Sequence, residues 1–203
     1  MSVNNASTDA RSVTSSARRR QIVDAAIVVI AESGYAKASF ARIAEKAGLS
    51  STRFISYHFK GKSELLAAVV VDVISGIGDY VGQRVQAELT AAGMLRTYIE
   101  AVVEYIDGHR APMIALTEVM LGAGFGDGIA GDQAATSDLE TILRSGQASG
   151  EFRDFDPWVM ATAVQRSVDA LPFALRTNPG IDLGSYTAEM VTLFALSTAR
   201  TAR

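Results

Sequence analysis

The chain has 203 residues, 48% hydrophobic and 20% charged, with a formal net charge of -3, enough for one or two compact units around a sizeable apolar core. It contains no cysteine, which excludes a disulfide framework and any thiolate metal centre, and its two histidines, His58 and His109, leave little for another kind of metal site. No stretch of about eighteen uncharged apolar residues occurs. The opening MSVNNASTDARSVTSSA lacks an apolar signal core, so no membrane partner is predicted and a cytoplasmic location is expected.

In chain order, residues 1–17 are rich in Ser, Asn, Thr and Ala, too poor in bulky apolar groups to offset ordering entropy, and a flexible arm is expected. Arg18, Arg19 and Arg20 follow, placed either to meet DNA phosphates or the minor groove, or to remain solvated. Ile22, Ala26, Val29 and Ile30 recur at helical spacing up to Gly34, which predicts a first helix ended by glycine. Ser39 is placed to cap a second helix that turns Phe40, Ile43, Ala44 and Ala47 inward, and Gly48 ends it, because a left-handed residue there carries no Cβ penalty. Ser50 is expected to cap a third helix running to about His58, after which Lys60-Gly61-Lys62 breaks the pattern.

Three short helices with small residues at Ala44, Ala47 and Gly48 allow the steep crossing of a helix-turn-helix. Charge supports the same reading. Through Lys62 there are ten Lys and Arg against four Asp and Glu, and after it nine against eighteen, so a +6 head precedes a -9 body, and every lysine lies in the head. A third helix of this kind lies in the major groove, with Ser51, Thr52 and Arg53 toward base edges. Ser56, Tyr57, His58 and Lys62 are the candidates for backbone phosphates, and Arg42 is a further candidate DNA contact. Arg53 is the best suited to direct readout, since its planar fork matches guanine O6 and N7. Phe54, Ile55 and Phe59 are expected to face inward.

The stretch Ile22 to Leu66 resembles the N-terminal domain of the TetR family of bacterial transcriptional regulators, through ESGY at Glu32 to Tyr35, IAEKAGLS at Ile43 to Ser50 and YHFKGKSEL at Tyr57 to Leu65. The resemblance implies a homodimer whose N-terminal helices bind a double-stranded DNA operator and whose C-terminal part binds a small-molecule effector. The pattern departs in two places. Between Gly48 and Phe59 the chain is one residue longer than most relatives, so the base-contacting positions fall on Ser51 and Thr52 or on Thr52 and Arg53. Ser56 stands where many members carry a phosphate-binding tyrosine, and Tyr57 follows it.

The head is therefore set at residues 18–66 and a helical effector-binding and dimerisation domain at 67–203, an all-α architecture without alternating strand patterns. Leu65 to Ile77 predicts a long helix, followed by helices around Met94 to Tyr105, Pro112 to Leu121, Gln133 to Arg144, Pro157 to Leu175 and Ser185 to Ala199. GAGFGDGIAG, Gly122 to Gly131, reads as a mobile loop; its glycines miss the phosphate-binding spacing and no strand precedes it. The last two helices are expected to pair with a second copy in a four-helix interface. Met94, Tyr98, Tyr105, Met113, Met120, Phe125 and Trp158 are candidate effector contacts, with core packing an equally good account of each. Glu118 and Gln165 are the polar candidates, Gln165 one turn from Asp169. No HExxH, GxSxG or cysteine nucleophile is present, and Asp154 and Asp156 before Pro157 read as a helix start, so neither catalysis nor a cofactor is expected. The resulting expectation is a homodimeric repressor released from its operator by a small molecule. An activator of the same build and a sequence-independent DNA-packaging protein are the alternatives.

Overall fold

The computed structural model describes residues 4–123 and 130–200. These form ten α-helices and one 3-10 turn, with no strand among the described residues: α1 (Asn4–Ser33), the 3-10 turn Tyr35–Lys37, α2 (Phe40–Lys46), α3 (Arg53–His58), α4 (Lys62–Val85), α5 (Ala91–Gly108), α6 (Arg110–Ala123), α7 (Ala130–Ser149), α8 (Pro157–Asp169), α9 (Leu171–Thr177) and α10 (Leu183–Thr198). The fold is all-α. Two compact units divide the chain, Met1–Val73 with Ile114–Gly124, and Ile74–Met113 with Phe125–Arg203, so α4 and α6 contribute to both. The first unit thus extends past the expected boundary at residue 66 and takes in most of α6, from Ile114 onward.

Several elements differ from expectation. Helix α1 reaches back to Asn4, through the arm expected at 1–17; the segment holds no Gly or Pro, and helix propagates through Ala, Ser and Arg at little cost once nucleated by the apolar stretch beyond it. The single helix expected from Pro157 to Leu175 is interrupted at Ala170, because Pro172 has no N–H to return to the preceding turn. Helices α6 and α7 enter the glycine-rich segment from both sides, leaving residues 124–129, Phe125 among them, outside the described residues.

In the first unit Ile22, Ile30, Ile43, Ile55, Phe59 and Leu65 are fully buried. Helix α4 is long and apolar enough to cross a membrane by length and composition, with a mean hydropathy of 1.7 in its most apolar window. Its apolar run has a local use: Leu65, Leu66, Val69 and Val73 are core residues, and Asp72 in the same run pairs with Arg20 at 3.7 Å.

The second unit buries Leu95, Ile99, Leu139, Leu143, Val164 and Leu171. Its helices are capped as their sequences require. Asp156 accepts from Trp158 N–H at 2.9 Å and Val159 N–H at 3.1 Å, with Pro157 in the first turn, and Thr90 accepts from Gly93 N–H at 3.0 Å. A carboxylate distant in sequence also serves the α5 start: Glu151 accepts from Ala92 N–H at 3.1 Å, Ala91 N–H at 3.3 Å and Ser149 Oγ–H at 3.0 Å.

The Ala92 amide foremost, with Ala91 and Ser149, holds the Glu151 carboxyl below its ordinary value of 4.5 against the opposing effect of burial. A lowered folded pKa means that this contribution to stability is complete above the ordinary value and lost as pH falls through the folded one. Glu151→Gln is expected to flatten the acid limb of the melting temperature against pH; an acid limb identical to that of the parent would remove Glu151 from the account.

Candidate nucleic-acid interface

The helix-turn-helix is built as its sequence requires. Ser39 Oγ accepts from Arg42 N–H at 3.4 Å to open α2. At the other end Gly48, with φ 65°, donates its N–H to Glu45 O at 3.0 Å while Leu49 N–H reaches Ala44 O at 2.8 Å, the paired closure of a Schellman motif that a left-handed residue permits. The turn uses more chain than expected. Helix α3 begins at Arg53 instead of after Ser50; its N-cap is Thr52, which makes no side-chain cap hydrogen bond, and Ser51 Oγ in the turn before it accepts from Arg53 N–H at 3.2 Å.

Helix α3 is fixed from below. Ile55 and Phe59, one turn apart, are 0% and 1% exposed. Arg19 secures its end: the guanidinium donates to His58 O at 3.1 Å, lies 4.2 Å from the centre of the Phe59 ring and stands 3.9 Å from Glu64. Gln21 Nε2 donates to Ala47 O at 2.6 Å, tying α1 to the turn. Of the three arginines that sequence left between phosphate contact and solvent, Arg19 is thus built into the end of α3, while Arg18 bonds Gln21 at 2.7 Å on the surface and Arg20 pairs with Asp72 with its side chain 71% exposed.

On the outer side of α3, Arg53 and Ser56 are exposed and Tyr57 is 83% exposed, its ring edge-on to half-buried His58. Arg42 is exposed on α2 and Thr52 just ahead of α3; no described ion pair involves Arg42 or Arg53. The Ser56 hydroxyl donates back to Thr52 O at 3.4 Å, and Ser51 is half-buried in the turn. Lys62 is less available than expected: its ammonium donates to Tyr35 O at 3.0 Å and lies 4.5 Å from the centre of the Tyr35 ring, anchoring the start of α4 to the corner after α1. Phe54 overturns the inward assignment. It is 47% exposed, because the helical repeat that buries positions 55 and 59 turns position 54 toward the side of Arg53 and Tyr57.

The candidate effector residues are divided between the two units. Glu118 and Met120 belong to the first, where Glu118 Oε2 accepts from Tyr35 N–H at 3.2 Å at the corner after α1. In the second unit Tyr98, Tyr105, Met113 and Gln165 are buried and Met94 is half-buried. Trp158 is 59% exposed in the first turn of α8, outside that core, since Asp156 and Pro157 start the helix at the surface. Tyr98 Oη donates to Gln165 Oε1, and Gln165 Nε2 donates to Asp169 Oδ1 at 2.8 Å, a polar chain that runs from the interior out to Asp169, which is part-exposed and 3.3 Å from Arg166. A separate cleft of about 520 Å³ opens among Leu95, Ile99, Phe152, Val191 and Ala195, with Glu88, Arg96 and Glu151 at its polar edge, and contains none of the candidates.

An all-α chain with a basic helix-turn-helix head, its third helix held rigidly with an exposed Arg- and Tyr-bearing face, defines the class of helix-turn-helix proteins. Residues 22–69 match the family model of the bacterial regulatory proteins of the tetR family. Over this head the chain is similar to the TetR family. Among curated proteins it is similar to the HTH-type transcriptional regulator BetI of Escherichia coli O45:K1, 40% identical over 88 residues, 43% of this chain and 44% of that protein. The match thus spans less than half the length of these relatives. Among solved structures, the fold is similar to AibR in complex with isovaleryl coenzyme A and operator DNA, with TM-score 0.72 and 18% identity over 87% of this chain and 97% of that one. It is also similar to the transcriptional regulator FadR from Bacillus subtilis in complex with stearoyl-CoA, with TM-score 0.71 and 22% identity over 87% and 97%.

Proposed function

We propose that the chain is a DNA-binding transcriptional regulator of the cytoplasm, acting as a homodimeric repressor that a small molecule releases from its operator. The observation that carries the reading is the outer face of α3, where Arg53 and Tyr57 project from a helix whose opposite face is locked by Ile55, Phe59 and Arg19. A recognition helix needs this combination, because readout of base edges requires side chains held in register by a rigid support. The +6 charge of the head supplies attraction to phosphates, and Arg42, exposed on α2, is its best-placed backbone contact.

Dimerisation is supported by the exposed apolar side chains of the last helices in the single chain: Trp158 and Val159 on α8, Phe173 on α9, and Leu193 and Leu196 on α10 at 53% and 72%. Helix α10 buries only Phe194 and Thr198 and is otherwise largely apolar, which suits an element covered by a second copy. Two heads held about 34 Å apart then reach successive major grooves. For the effector, buried Tyr98 and Gln165 offer hydrogen-bonding groups inside an apolar interior, with Asp169 at the outer end of their chain. The coenzyme A thioesters bound by AibR and FadR make acyl-CoA the first ligand class to test. An effector that prefers mis-spaced heads needs a coupling of about 1–3 kcal/mol to alter operator binding.

The test is binding of the full chain to operator-selected and scrambled duplexes over a salt series. Arg53→Ala is expected to flatten base preference, while Arg42→Ala weakens both duplexes alike and lowers the salt slope by about one. Equal affinity of the parent for both duplexes at every salt concentration would replace regulation with sequence-independent packaging.

A further inference from the structure

Phe54 has neither a place in the core nor a polar group to satisfy, yet its ring is 47% exposed on the side of α3 that carries Arg53 and Tyr57. Taking the fully buried Ile55 as the inward direction and 100° per residue, Arg53 and Tyr57 point equally and almost directly outward, with Phe54 on the flank beside Tyr57. The three therefore form one outward patch, cationic at Arg53 and apolar at Phe54. It lies on the +6 head, which favours a polyanion over an apolar protein partner.

A major groove offers an apolar ring one matching group. The thymine 5-methyl projects into it, whereas guanine, cytosine and adenine present donors and acceptors that a phenyl ring would desolvate without pairing. Neighbouring Cα atoms are about 3.8 Å apart and base pairs are stacked at about 3.4 Å, so adjacent side chains on α3 address the same or adjacent base steps.

We propose that Phe54 is a base-reading residue whose ring packs on the 5-methyl group of a thymine, at or next to the base pair addressed by Arg53. This rests on the reading of α3 as the recognition helix. It assigns base discrimination to a side chain whose hydrophobicity alone predicts a place in the core.

The experiment uses the full chain and a duplex recovered by it from a randomised library, with each thymine replaced singly by uracil, a change that removes only the methyl group. At one thymine per half-site the replacement is expected to weaken parent binding about fourfold, the worth of one buried methylene-sized group. Phe54→Ala is expected to bind the thymine and uracil duplexes equally while melting at the parent temperature, since the ring is outside the core. Phe54→Gln, which keeps a side chain of some length without the apolar ring, gives the same equality if the Ala variant does not fold. A parent indifferent to every uracil, or a uracil penalty that persists in the variants, overturns the assignment while leaving sequence-specific binding intact. Failure to recover any preferred duplex overturns it together with the reading of α3.

Discussion

Phe59→Ala is expected to cost about 3–5 kcal/mol, a large part of the roughly 5–15 kcal/mol that separates folded from unfolded domains. Phe59 heads the largest fully buried side chains among the described residues, at 1% exposure, and closes α3 by donating its N–H to Ile55 O at 2.9 Å. Truncation removes the ring beneath α3 and leaves the Arg19 guanidinium, 4.2 Å from the ring centre, without its aromatic partner. Both effects loosen the same helix, so specific DNA binding is expected to disappear at temperatures where α5 and α7 to α10 of the second unit remain helical. Thermal unfolding followed by circular dichroism, paired with a duplex-binding titration, measures this. A loss below about 1 kcal/mol with normal DNA binding would show that the ring does not support α3.

Gly146→Leu is the second large effect, expected to destabilise the protein by about 1–3 kcal/mol or more through overpacking. Gly146 lies in the last turn of α7, and a Cβ built there would run into the Phe152 ring and come within 2.9 Å of the Ala91 Cβ. Neither neighbour has room to give, since Phe152 and Ala91 are 5% and 4% exposed. The chain holds Phe152 in place by reversing at Gly150, with φ 80°, so that Phe152 N–H donates to Gly146 O at 3.0 Å. Gly78→Ala on α4 provides the contrast: nothing lies within 4 Å of its Cβ position, so the same loss of a helical glycine is expected to stabilise by about 0.5–1 kcal/mol. Opposite shifts in melting temperature are the expected pair; a stable Gly146→Leu protein would mean that Phe152 does not pack over the α7 end.

Much of the head was legible in residue order because its signals are local. Ser39 and Gly48 act through hydrogen bonds to amides and carbonyls three to five residues away, so their types at those positions suffice to predict a cap and a Schellman turn. The break at Ala170 was legible too, had Pro172 been weighed against the apolar spacing around it. The site residues divide along the same line. Arg42, Arg53 and Tyr57 stand exposed as periodicity predicts, whereas Phe54 was assigned by its hydrophobicity to a face that the geometry of a six-residue helix denies it.

What residue order determined by itself was the helical class, the caps and turns, and the basic head with its acidic body, since each depends on neighbours along the chain or on a sum over it. Tertiary structure alone decided which charges and polar groups are already engaged. Arg19 on His58 and Phe59, Lys62 on Tyr35, Glu118 on the Tyr35 amide and Gln165 between Tyr98 and Asp169 are contacts between residues 4 to 83 positions apart. Most of them join separate helices, and the distance over which two such groups meet is set by packing, which the order of residues does not contain.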